Sequence, residues 1–187
     1  MDDLFAFPAL RIRQPGRLLP NRARYEIFDD GRQLLAIAAE TQARARLDLF
    51  AAPAPDARVL AVTTAAGAAL LTLIKHTTSR VTELRGPDGE PAGRIRATHL
   101  NRHYTLLDEA EQTVGKVVGD LALKQFDVTA SGGGEFARIR KTWAGPKEMV
   151  TPADHYRVEF TGPVSGPARV LTVMMAIVLD LTLYGPF

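Results

Sequence analysis

Short apolar runs alternate with polar positions along most of this chain, and Gly- or Asp-bearing turns separate the runs. Tyr25 to Asp29, a turn at Asp30 and Gly31, and Leu34 to Ala39 read as one β-hairpin. The same pattern returns in Arg58 to Thr63 with Ala69 to Lys75, and in Arg80 to Arg85 with Gly93 to Thr98. It returns again in His103 to Asp108 with Thr113 to Val118, and in Lys124 to Thr129 with Phe136 to Thr142. Arg44 to Leu49 and His155 to Thr161 add two further strands, so the pattern predicts twelve. Arg32 to Phe50 has a second reading as an amphipathic helix, because Ala, Leu, Gln and Arg favour one.

The pattern changes at Pro167. From there to Tyr184 the chain reads PARVLTVMMAIVLDLTLY, with eleven bulky apolar residues around the whole circumference of a helix. Ser165, Gly166 and Pro167 supply a start signal, and Gly185 with Pro186 a stop. A helix apolar on every side has to be covered on every side, by lipid or by protein. Ala168 to Tyr184 makes about 25 Å of helix against a hydrocarbon core of roughly 30 Å. Asp180 near one end adds about 2.5 to 3.5 kcal/mol to membrane insertion. Burial inside protein is therefore the expectation, with a membrane-inserting helix as the alternative.

Short strands at regular spacing imply a barrel or a sandwich, and a sandwich has no slot for such a helix. Twelve strands about 4.8 Å apart and tilted about 40° close into a cylinder roughly 24 Å across. Side chains leave a lumen of about 14 Å, and a helix needs about 10 to 12 Å. The predicted fold is mainly β: a closed twelve-stranded antiparallel barrel enclosing the C-terminal helix. Arg169 and Asp180 then need partners outside the helix, since each has the wrong sign for its end of the helix dipole. Asp180 is expected to be a structural buried charge, bonded to barrel backbone or to an arginine.

Composition adds little chemistry. The 187 residues suit one domain, the net charge is only +2, and there is no cysteine for disulfides or thiolate metal sites. The charge divides evenly between the two halves, which argues against a nucleic-acid partner. Residues 1–24 form an arm with three prolines and Arg11, Arg13, Arg17, Arg22 and Arg24 among apolar residues. It reads as a contact for anionic membrane, or as an edge strand and loop laid over a barrel domain of residues 25–187. No signal peptide is evident, and a cytoplasmic protein, peripheral at a membrane, is the expectation.

The order of YEIFDDGRQLLAIA, ELRGPDGEPAGRIR, YTLLDEAEQTVGKVVG, FDVTASGGGEFARIRKTWAG and ADHYRVEF, closed by an apolar helix bearing Asp180, resembles the scramblase-like and LURP-one-related proteins of the tubby C-terminal-like superfamily. The likeness runs from about Tyr25 to Tyr184, and Ile139 to Gly145 followed by HYRVEF is its most telling part. The resemblance implies a twelve-stranded barrel threaded by a hydrophobic helix. It also implies a non-enzymatic module that binds anionic phospholipid headgroups or a protein partner, as tubby-like domains bind phosphoinositides. The alternative it implies is a scramblase-type, membrane-acting protein whose last helix inserts.

Candidate anion ligands follow from strand periodicity. Arg94 and Arg96 are two apart, as are Arg138 and Arg140, so each pair shares a face and can clamp a phosphate. No catalytic, cofactor or metal residues are assigned. His76, His99, His103 and His155 are scattered, and the i, i+4 spacing of His99 and His103 suits metal only on a helix. Asp29, Asp30 and Gly31 are a turn before they are a calcium loop. Gly132, Gly133 and Gly134 lack the lysine and helix of a phosphate loop, and Trp143 is assigned to packing.

Overall fold

A computed structural model describes residues 5–15, 23–41, 57–98, 101–142 and 155–183. The strands are β1 (Ala9–Arg13), β2 (Arg24–Asp29), β3 (Leu34–Glu40), β4 (Ala57–Thr64), β5 (Ala69–His76), β6 (Val81–Arg85), β7 (Pro91–Ala97), β8 (His103–Leu107), β9 (Thr113–Gly119), β10 (Gln125–Ala130), β11 (Glu135–Thr142) and β12 (His155–Phe160). They are followed by one helix, α1 (Gly166–Leu183). Neighbouring strands pair antiparallel in chain order, and β1 fills the gap between β12 and β2 to close the barrel. Each predicted strand that falls on described residues lies within two residues of its expected limits.

One membership differs from the sequence reading. The first barrel strand comes from the segment set apart as the arm, so the barrel begins before residue 25. Leu10 and Ile12 of β1 are buried while Arg11 and Arg13 reach solvent, which is what a closing strand requires. The Arg44 to Leu49 strand lies outside the described residues. The helical alternative for Arg32 to Phe50 gives way to strand over Leu34–Glu40, where cross-strand pairing on both sides outweighs the helix propensity of Ala and Leu.

Inward positions interlock in levels. Leu10, Val158, Ile139, Phe126 and Gly119 sit opposite one another around five adjacent strands. Gly119 belongs there for volume: a Cβ on it would lie 2.6 Å from the ring of Phe126. Gly93 serves the helix in the same way, since a Cβ would meet the carbonyl oxygen of Leu107 at 2.7 Å and a methyl of Leu171 at 3.2 Å. Its φ of +131° is a second reason for glycine.

Every residue of α1 from Arg169 to Leu181 is buried, so the barrel wall covers the helix all round. Its two charges are satisfied at opposite ends. The Arg169 guanidinium donates to the carbonyls of Phe5, Phe7 and Val164 and stacks 3.8 Å from the centre of the Phe160 ring. Burial lowers its pKa from the ordinary arginine range. Asp180, 3% exposed, accepts from the Tyr25 hydroxyl at 2.6 Å and from that of Tyr156 at 3.5 Å. Tyr25 and Tyr156 are inward-facing residues of β2 and β12, so the carboxylate ties the helix to strands on either side of the closing strand.

Candidate functional site

Antiparallel pairing places three arginines in one row. Arg11 of β1 stands opposite Arg157 of β12, which stands opposite Arg140 of β11. All three point outward from adjacent strands, so like charges meet at strand spacing and need counter-charges. Asp30, on the turn after β2, takes hydrogen bonds on one oxygen from Arg11 at 3.2 Å and Arg157 at 2.9 Å. Glu159 accepts from Arg157 at 2.7 Å and pairs with Arg140 at 3.5 Å. The hydrogen bonds from Arg157 and then Arg11 hold the Asp30 carboxyl below the usual carboxylate range. Those to Glu159 and Asp30 push the Arg157 guanidinium up.

Beside this row lies a depression of about 630 Å³ on the outer wall. Arg11, Arg13, Arg32 and Arg157 line it, with Phe28, Thr142 and His155. Arg13 donates to Glu26 at 2.8 Å and sits 5.6 Å over the Phe28 ring. Arg32 has a φ of +69° in the tight turn between β2 and β3 and forms no ion pair with another described residue. Among the described residues around the depression, Arg11, Arg13, Arg24, Arg32, Arg140 and Arg157 stand against Glu26, Asp30 and Glu159, so positive charge is in excess there. Guanidinium forks beside an aromatic face suit an anionic group with an apolar neighbour.

The residues singled out from sequence are only partly brought together. Arg94 and Arg96 both pair with Glu111, the latter at 3.7 Å. Arg138 is held between Asp127 at 2.9 Å and Glu135 at 2.8 Å, and those hydrogen bonds, Asp127 first, raise its pKa. Strands β8, β9 and β10 separate β7 from β11, so the two arginine pairs do not share a surface. Of the four, only Arg140 joins the row beside the depression, opposite Arg157, and it does not line the depression itself. Arg157 and Arg32 were missed, and Arg11 and Arg13 were read only as members of an arm. For Arg11 and Arg13 the available signal was their i, i+2 spacing in a strand-forming run, the same criterion that selected the other pairs; Arg32 and Arg157 carry no such spacing.

The remaining polar candidates have structural duties. Asp29 accepts from the backbone N–H of Gln33 at 2.7 Å, which fastens the turn carrying Asp30 and Arg32. No group of histidines and carboxylates among the described residues is arranged to hold a metal. His99 and Trp143 lie outside the described residues.

The family model described as Scramblase matches residues 20–185 of this chain. Among solved structures, the X-ray structure of a protein from Arabidopsis thaliana is similar with a TM-score of 0.54, covering 93% of this chain and 91% of that one at 12% identity. At that identity the likeness is one of fold. No curated protein matches.

Proposed function

The chain belongs to the Scramblase family, and from that premise we propose that it is a non-enzymatic module that recognises anionic phospholipid headgroups through the basic depression over β1, β2 and β12. The observation that carries the reading is the depression itself, with more guanidinium groups than carboxylates around an aromatic wall. A headgroup phosphate would meet Arg32 first, since Arg11 and Arg157 share Asp30 and Arg13 pairs with Glu26. Phe28 would lie against the apolar part of the ligand. The protein would then work as a cytoplasmic, peripheral membrane component.

The helix serves this reading as an internal pin. Its unbroken burial from Arg169 to Leu181 and the partners of both its charges support that role. The family reading also admits a membrane-acting protein whose helix inserts, because α1, with 18 residues, is long and apolar enough to cross a bilayer. Insertion would require Arg169 and Asp180 to give up their partners.

Vesicle flotation tests the proposal. Phosphatidylserine-containing vesicles should bind the protein, phosphatidylcholine vesicles should not, and high salt should release it. At about 1 kcal/mol per basic group near such a surface, Arg13→Gln with Arg32→Gln should weaken binding by about 2 kcal/mol, roughly 30-fold. Binding that ignores lipid charge and resists salt would favour the inserting helix. Failure to bind anionic vesicles at all would refute headgroup recognition and leave a protein partner as the occupant.

A further inference from the structure

Sixteen consecutive residues, Val59 to Ile74, form the longest stretch of this chain without a charged side chain. They make the hairpin of β4 and β5 and the turn between them. Leu60, Val62, Leu71 and Leu73 are buried in the core. The alternating outward positions Val59, Ala61, Thr63, Thr72 and Ile74 carry no charge either, whereas β1, β2, β6, β7, β11 and β12 each present charged side chains on the outer wall. The turn is well fastened. The Thr64 N–H donates to the Ala68 carbonyl at 2.8 Å, the Ala68 N–H donates to the Thr64 hydroxyl at 3.0 Å, and Gly67 supplies a φ of +87°. Ala65, Ala66, Ala68 and Ala69 are exposed around it. Turns are usually filled by Asp, Asn and Ser, whose side chains hydrogen-bond the backbone. Four alanines give this one a tip of bare methyl groups.

This tip stands beside the turn that carries Arg32. Strands β2, β4 and β12 all finish at the end of the barrel where α1 starts, so both turns belong to that end. Two strand spacings of about 4.8 Å put them about 10 Å apart. The Ala65 N–H donates to the Leu35 carbonyl at 2.9 Å, which joins the tip to the start of β3. Leu34 stands opposite Phe28 across the β2–β3 pair, so the apolar side of the depression continues through Leu34 toward the alanine turn. The acidic turns lie across the barrel mouth. The one at 108–112, with Asp108, Glu109 and Glu111, is six strands round the ring from the turn at 30–33. The one at 86–90, with Asp88 and Glu90, is six strands from the β1–β12 pair.

We propose that the β4–β5 turn is the apolar foot of the headgroup-binding wall, entering the interfacial layer of an anionic bilayer beside the lipid whose phosphate meets Arg32. The inference rests on the headgroup reading and adds the contact that fixes how the protein sits on the membrane. A bilayer of this kind offers charge at its surface and apolar chains beneath. This edge of the barrel offers the complement: a guanidinium and, about 10 Å away, a cluster of exposed methyl groups. With the contact centred on β3, the carboxylates of the 108–112 turn sit on the far side, away from a surface that would repel them. A second copy on the same edge would set Arg32 and the depression of each molecule against those of the other, like charge to like.

The chain has no cysteine, so single labels report one position each. Ala66→Cys and Ala110→Cys, at exposed alanines of the foot and of the acidic turn, are each labelled with an environment-sensitive fluorophore. Phosphatidylcholine vesicles containing phosphatidylserine should shift the label at 66 to the blue and leave the label at 110 unchanged. Unlabelled Ala66→Leu should bind these vesicles about tenfold tighter, the scale of half-burying three added carbons, and Ala110→Leu should bind as the parent protein does. If the labelled proteins float with the vesicles but 66 stays in water, or 110 shifts instead, the foot is overturned and headgroup binding stands. Ala66→Leu binding no tighter than the parent protein overturns it too. A blue shift at 66 that grows with protein concentration in the absence of vesicles assigns the tip to self-association and overturns the membrane contact. Loss of flotation by the parent protein removes both readings.

Discussion

Asp180→Leu isolates the tie between helix and wall. In many settings a buried ion replaced by a well-packed apolar side chain is neutral or stabilising. Here the replacement leaves the hydroxyls of Tyr25 and Tyr156 behind, both on buried tyrosines and both aimed at the lost carboxylate. Losing a hydrogen bond to a charged group costs about 1.5 to 3 kcal/mol, and the short bond from Tyr25 alone sets a loss of that size. That is a large share of a net stability of roughly 5 to 15 kcal/mol. Asp180→Asn keeps an oxygen that accepts from Tyr25 and loses only the charge assistance, for about 1 kcal/mol. Tyr25→Phe should cost about 1.5 to 3 kcal/mol in the parent protein and much less beside Asp180→Leu, because the bond is already gone. Urea unfolding followed by circular dichroism measures the parent and all four variants, the double one included, provided the m-value is unchanged. Asp180→Leu as stable as Asp180→Asn, or a Tyr25→Phe cost that is the same in both backgrounds, would refute the tie.

Two further perturbations probe the wall. Gly93→Ala puts a Cβ 2.7 Å from the Leu107 carbonyl at a φ of +131°, combining backbone strain with overpacking against Leu171. About 2 to 4 kcal/mol of destabilisation is expected in urea unfolding, and a change under 0.5 kcal/mol would show that the helix does not approach this strand closely. Asp30 has a folded-state pKa below its unfolded value of 3.8, so its bonds to Arg157 and Arg11 contribute fully above that pH and fade as pH falls below it. The thermal midpoint of Asp30→Asn should therefore lie below the parent's at neutral pH and converge with it in acid; a gap that persists at low pH counts against the link.

The barrel was legible because its evidence is local and repeated. Alternation at every second residue, with Gly or Asp between runs, appears strand after strand, and no part of it depends on distant residues. The helix was legible for the opposite reason: Val170 to Leu183 has no polar face, and a cylinder of twelve strands has room for it. The ligand face was much less so. Arg94, Arg96, Arg138 and Arg140 show the same spacing as Arg11 and Arg13, and all six meet a carboxylate, so periodicity alone cannot tell which of them lines a depression. The pairing of β1 with β12 and β2 decides that, by setting Arg11 and Arg13 beside Phe28 and Arg157.

What the sequence determined alone was the kind of object: strands that need closing, and an apolar rod that needs enclosing. What only the tertiary structure decided was adjacency. Strand β1 pairs with β12 across more than 140 residues, and that one closure sets Arg11 beside Arg157 and brings Asp30 between them. Side-chain direction is a local property of backbone geometry, whereas charge balance at a surface depends on which strands become neighbours. Neighbourhood in a closed sheet is fixed when the last strand takes its place.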